Sequence, residues 1–187
     1  MSKNTTWEDL EGWFDYESLY QEMATKYNNG VLVEVGSWLG KSVSFLATVS
    51  EFNKNNNKIY AIDTWSGLDS EYMEQIKTKY AKASIYEIFE DNIVNCGFKN
   101  IIKPIISCSW EAANNFEDES CDFIFIDADH TYESVKKDIL AWYPKLKPNG
   151  TLAGHDIFAE QIKRAVSETL SVFNKKWIQS GPCWVMV

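Results

Sequence analysis

The stretch at residues 31–42, VLVEVGSWLGKS, constrains the fold of this chain more than any other. A short apolar run carrying one acid, Glu34, enters a loop bounded by Gly36 and Gly40, and helical spacing begins directly after it. That pattern predicts a strand, a tight turn and a helix N-terminus, where backbone comes close to a ligand and amide N–H groups point outward. A triphosphate-binding loop needs four residues between its glycines, ahead of Lys and Ser or Thr. Here three residues intervene, Ser37, Trp38 and Leu39, although Lys41 and Ser42 follow as that motif requires. A nucleotide-binding enzyme of that kind therefore stands as a rival reading.

The rest of the chain repeats the same unit. Residues 58–62, KIYAI, form a second buried strand that again ends in an acid, Asp63. Residues 103–107 read as a third strand, and Ser109 after it as the N-cap of a short helix. CDFIFI, at 121–126, is too continuously apolar to be half-exposed and delivers Asp127, Ala128, Asp129 and His130. A helix with Val135, Ile139, Trp142 and Leu146 on one stripe follows, stopped by residues 147–150. Residues 151–154 are a fifth strand leading to His155 and Asp156, and residues 158–173 an amphipathic helix with its stripe at Ile162, Ala165, Val166, Thr169 and Leu170. The tail, KKWIQSGPCWVMV, reads as two strands around a Gly181-Pro182 turn. Two helical stretches are left over. Residues 6–27 are an interrupted helical pattern, expected as one or two helices packing onto the domain or as a cap over the ligand site. Residues 70–98 are a mostly helical stretch longer than one crossover helix needs, as for a lid, an interface between copies or a plain helix with a solvated charged face.

With 187 residues, 45% hydrophobic, the expectation is a single domain over 1–187, a helical cap at 1–30 and an α/β core at 31–187. A net charge of -9 argues against a non-specific grip on nucleic acid or on an anionic membrane. Cys96, Cys108, Cys121 and Cys183 show no metal-finger spacing and read as free thiols of a cytoplasmic protein. Neither a secretory leader nor a membrane-spanning run is expected.

Five β-α steps and a terminal hairpin predict a doubly wound, seven-stranded, Rossmann-like α/β sheet. Its carboxyl edge, where open sheets of this kind bind ligands, presents Glu34, Asp63, Asp127, Asp129, His130, His155 and Asp156. An acid after the second strand suits a pair of ribose hydroxyls, which a triphosphate loop does not require.

Glu34, Gly36 and Gly40 match E-x-G-x-x-x-G, and EVGSWLGKS, AIDTWSG, SCSWEAA and FIFIDADHTYESVKKDILAWYPKLKPNGTLAGHD follow in order. In these motifs the chain from residue 31 onward resembles class I S-adenosylmethionine-dependent methyltransferases, most closely the small-molecule O-methyltransferases of sugars and natural products. The resemblance implies S-adenosylmethionine as cofactor and a hydroxyl of a small molecule as acceptor. It places Glu34, Gly36, Ser37, Trp38, Gly40 and Ser42 around the methionine part and Asp63, with Thr64 and Trp65, at the ribose. Ser109 and Trp110 fall at the adenine, and Asp127 near the methionine amino group. In related metal-dependent members the acids after the fourth and fifth strands hold a divalent cation, which implies Mg2+ at Asp127 and Asp156. His155 interrupts that all-oxygen pattern. Histidine near neutral pKa suits removal of an alcohol proton, so His155, His130 and Asp127 are the candidate catalytic residues. A homo-oligomer that completes an open acceptor pocket is a further expectation, and a non-catalytic cofactor-binding module of the same fold is the second rival.

Overall fold

The computed structural model of the protein describes residues 5–66 and 70–187. Residues 1–4 of the expected cap and Gly67 of AIDTWSG lie outside the described residues. The strands are β1 (Val31–Val35), β2 (Lys58–Asp63), β3 (Ile102–Ile106), β4 (Cys121–Ile126), β5 (Leu146–Gly154), β6 (Trp177–Ser180) and β7 (Cys183–Met186). They form one sheet in the order β3-β2-β1-β4-β5-β7-β6. β1 to β5 run parallel, while β7 is antiparallel to both β5 and β6. The chain starts in the middle, winds outward to β3 and returns to β4, so the order reverses between β1 and β4. A crevice opens at the carboxyl ends of strands at such a reversal.

The alternation of side chains along each strand divides the core in two. Leu32, Phe123 and Phe125 face one layer with Tyr20, Leu46 and Phe89. Val33, Val35, Ile124 and Ile126 face the other with Val135, Trp142 and Trp184. The helices are α1 (Glu17–Lys26), α2 (Lys41–Phe52), α3 (Ser70–Tyr80), α4 (Ile85–Asn95), α5 (Ser109–Ala112), α6 (Tyr132–Trp142) and α7 (Glu160–Val172). The stripe read from sequence is buried in α7 (Ile162, Ala165, Val166, Thr169, Leu170), and the helical spacing after Gly40 buries Val43, Leu46, Ala47 and Ser50 of α2. Pro104 lies inside β3, which the sheet tolerates because β3 is an edge strand. Among the described residues no helix is long and apolar enough to cross a membrane. All four cysteines are free thiols.

The structure sharpens two of these expectations, the helical stretches at 70–98 and 6–27, and corrects two, the end of the helix after β4 and the cap at Ser109. The stretch at 70–98 is two helices, because Ala81 turns to φ 52° and Ser84 caps α4 by accepting from the Glu87 amide. α6 stops at Trp142 rather than carrying Leu146, since Pro144 has no N–H with which to continue the helical ladder and residues 143–145 tighten into a 3-10 turn. Leu146 instead pairs with Cys121 as the start of β5, and the register then jumps to Phe123 with Thr151, so residues 147–150 bulge out of the strand. Ser109 is the first residue of α5 and not its cap, the cap position being Cys108. The N-terminal stretch is a short 3-10 turn at Trp7–Asp9, then an extended segment to Tyr16, then α1.

Candidate active site

The continuing ladder sets the side chains that follow β4 and β5. The Asp127 amide donates to Val35 O at 2.7 Å, and the His155 amide donates to Ile126 O at 3.1 Å. Asp127, His130, His155 and Asp156 are thereby brought together. His130 Nε2 stands 3.4 Å from Asp127 Oδ1 and 3.1 Å from Asp156 Oδ2. His155 Nδ1 stands 3.6 Å from Asp127 Oδ1 and 3.3 Å from Asp156 Oδ1. Asp127, His130 and Asp156 each offer a ligand atom, all within 4.8 Å of one another. The hydrogen bond with Asp127 holds the His130 ring above its ordinary pKa, helped by the charges of Asp156 and Asp129 and opposed by partial burial. Asp129 itself turns away, accepting from the Thr131 amide at 2.8 Å at the entry to α6.

Two further members come from the extended N-terminal segment, where no sequence motif pointed to them. Asp15 Oδ1 meets His155 Nε2 at 2.8 Å, and the Tyr16 hydroxyl donates to Asp127 Oδ2 at 3.2 Å. The same segment crosses the sheet edge toward α3, where Glu11 pairs with Lys79 and the Trp13 ring lies 6.1 Å from that of Tyr72. The readable signal was the i, i+4 spacing of Tyr16 and Tyr20, two polar-tipped aromatics on the buried side of α1.

The glycine loop is built differently from its expected form. Gly36 and Gly40 adopt φ of 95° and 86°. Their amides turn inward, Gly36 N–H to Ile62 O and Gly40 N–H to Ser37 O, and the Trp38 amide donates to Asp63 Oδ2. These three N–H groups are therefore not free to cradle phosphate, which counts against the triphosphate-loop rival. Beneath the loop Glu34 is fully buried and its Oε2 accepts from the Tyr20 hydroxyl at 2.6 Å. Asp63 also accepts from the Trp65 amide, at 2.8 Å. Burial raises its pKa, and the amide hydrogen bonds oppose that rise. Thr64 is exposed, while the Trp65 indole donates to Trp38 O and packs among Tyr86 and Phe89 of α4. Trp38 stacks on Tyr72 at 5.9 Å. Ser42 is buried close to Glu34.

On the other side of β1, the Ser109 hydroxyl donates to Asp138 Oδ1, and the Lys137 ammonium sits 4.7 Å over the Trp110 ring. Asp138 is fully buried, with Oδ2 unpartnered. Burial pushes its carboxyl up to about 7, the Ser109 hydrogen bond working the other way. Its folded pKa lies above the unfolded value, so the native state holds an extra proton and stability falls as pH rises from about 4 to about 7. Asp138→Asn is expected to remove this slope and to raise stability at pH ~8 by roughly 2–4 kcal/mol. Urea denaturation of both proteins across that range checks it, and identical slopes would refute it.

The comparisons with known proteins follow this geometry. A family model described as a methyltransferase domain matches residues 33–157. The protein y4gI of Sinorhizobium fredii is 26% identical over 125 residues, 67% of this chain but 13% of that protein's length. The chain thus spans about an eighth of that curated relative. The fold is similar to that of the O-methyltransferase NovP, with a TM-score of 0.68, 14% identity, and 90% of this chain and 77% of that chain covered. It is similar to CalS11, a TDP-rhamnose 3'-O-methyltransferase of calicheamicin biosynthesis, with a TM-score of 0.61, 15% identity and 91% and 76% covered. A precorrin-6y C5,15-methyltransferase from Geobacter metallireducens gives a TM-score of 0.65 at 12% identity, with 97% and 90% covered. With a model match over 33–157 and a parallel sheet closed by the β5-β7-β6 hairpin, the chain belongs to the methyltransferase-domain family and has the class I S-adenosylmethionine-dependent fold.

Proposed function

We propose that the protein transfers a methyl group from S-adenosylmethionine to a hydroxyl of a small molecule, a sugar or a natural product. The observation that carries this reading is the convergence of His130 and His155 with Asp15, Asp127 and Asp156 at the sheet's carboxyl edge. Two similar folds belong to proteins described as O-methyltransferases, which supports a hydroxyl acceptor.

The chain fits the cofactor at one specific place. Glu34 Oε1 and Ser37 Oγ are buried without partners under the glycine loop, and a cationic donor satisfies such atoms. When bound, S-adenosylmethionine supplies a methyl group made electrophilic by its sulfonium. The protein's share is to align the acceptor oxygen and remove its proton. Glu34, Gly36, Ser37, Trp38, Gly40 and Ser42 hold the methionine part. Asp63 takes the ribose hydroxyls, with Thr64 beside it and the Trp65 amide fixing its carboxylate. Ser109 and Trp110 flank the adenine. His155 is the general base, its ring oriented by Asp15, while His130 and Asp127 bind the acceptor.

Mg2+ fits these residues poorly. It favours octahedral oxygen ligands, whereas Asp127 and Asp156 are joined here by imidazole nitrogens, a set that suits borderline metals better. Mg2+ therefore has no step in this proposal.

Incubation with methyl-labelled S-adenosylmethionine and a panel of sugar, phenol, amine and carbon acceptors tests the reading. Label in a methyl ether is the expected result. Label only on nitrogen or carbon would overturn it, and cofactor binding with no transfer to any acceptor would leave a non-catalytic module.

A further inference from the structure

Glu34 is fully buried, yet among the described residues the groups facing it include no cation. Tyr16 and Tyr20 face it from the N-terminal segment and α1, Ser37 from the loop, Ser42 from α2, and Asp127 from the end of β4. One carboxyl oxygen is bound by Tyr20 and the other has no partner. An ionised carboxylate buried this way, without counter-charge and with one oxygen unpaired, is strongly disfavoured, and such a group neutralises instead. The cofactor that the loop above it is read to hold carries two positive groups, an α-ammonium and a sulfonium.

We propose that Glu34 is a neutral carboxylic acid in the cofactor-free protein and ionises to meet the cofactor's positive charge, so that binding releases one proton. The O–H bond of Glu34 breaks, its electron pair stays on the carboxylate oxygen, and the proton passes to the buffer. Burial pushes the carboxyl up to about 7, against the hydrogen bond from Tyr20 that favours ionisation. The arriving cation stabilises only the ionised form, which is what couples the two equilibria. Cofactor affinity then rises with pH below about 7 and levels off above it. The inference rests on the cofactor reading given above and adds to it the charge state in which the site waits.

Calorimetric titration with S-adenosylmethionine at pH ~6, in phosphate and in a buffer of high ionisation enthalpy such as Bis-Tris, counts the protons exchanged. About one proton released per cofactor is expected at that pH, falling toward none by pH ~8.5, where Glu34 is already ionised. Glu34→Gln should lose the release and bind more weakly. Tyr20→Phe keeps the acid but removes a donor to its ionised form, so release should persist to higher pH. S-adenosylhomocysteine retains the ammonium and lacks the sulfonium. Equal release with both ligands assigns the ammonium as the partner, and release with S-adenosylmethionine alone assigns the sulfonium. Equal binding enthalpies in the two buffers at pH ~6, or undiminished release by Glu34→Gln, would overturn the inference while leaving the cofactor reading intact. Failure of both ligands to bind would overturn the cofactor reading and this inference together.

Discussion

Replacing His155 with alanine is expected to lower methyl transfer by about a thousandfold, mid-range for loss of a general acid–base group, with cofactor affinity unchanged within about twofold. The split follows from position. His155 follows β5, with 15% of its side chain exposed, and its nitrogens face Asp15 on one side and Asp127 and Asp156 on the other. Glu34, Ser37 and the glycine loop stand at the end of β1, and none of their hydrogen bonds involves it. An alcohol keeps its proton near neutral pH, so losing the acceptor of that proton slows chemistry without loosening the cofactor. Asp15→Asn should give a smaller loss in the same direction, about tenfold, because the ring stays but its orientation is no longer held by a charge. The measurements are single-turnover rates with labelled cofactor and a separate titration with S-adenosylhomocysteine. A His155→Ala protein that turns over at the parental rate would end the general-base assignment.

Gly36→Ala is expected to destabilise the protein by at least ~3 kcal/mol. A Cβ at Gly36 would lie 2.0 Å from the Asp127 carbonyl oxygen and 2.5 Å from its carbon, with the glycine at φ 95°. Neither side can give way: the Gly36 amide is tied to Ile62 O and the Asp127 amide to Val35 O, both in the middle of the sheet. Gly97→Ala is the internal control. That glycine has a comparable φ of 86° but open space around it, so only the conformational strain of ~1 kcal/mol applies. Urea midpoints at constant m-value compare the two. Equal destabilisation would mean that the contact with Asp127 contributes nothing.

The acids and histidines at the strand ends were legible in the sequence because each lies immediately after a run whose burial is unambiguous. CDFIFI can only be a central strand, so Asp127 must stand at its carboxyl end, as the pairing of Ile126 with Gly154 and Val35 shows. The same logic located Asp63, while Glu34 is the single acid carried inside the run of β1. Boundaries were lost where a local breaker competed with a longer apolar stripe, as at Pro144, and where a side chain had a better partner than the backbone. Ser109 looked like a cap, whose oxygen would accept from a backbone N–H, yet its hydroxyl donates to the buried carboxyl of Asp138.

What the sequence determined by itself is therefore the order of strands and helices and the residues that the strands carry to their carboxyl edge. Those follow from hydrophobic periodicity and from parallel crossovers, both of which are local in the chain. Only the tertiary structure decided that Asp15 lies on His155, that Tyr16 and Tyr20 hold Asp127 and Glu34, and that the Trp38 amide is turned onto Asp63. Asp15 sits in an extended segment with no repeating pattern, separated from His155 by 140 positions. Its place depends on how α1 docks its buried aromatic face against β4, and such docking leaves no period in the sequence to read.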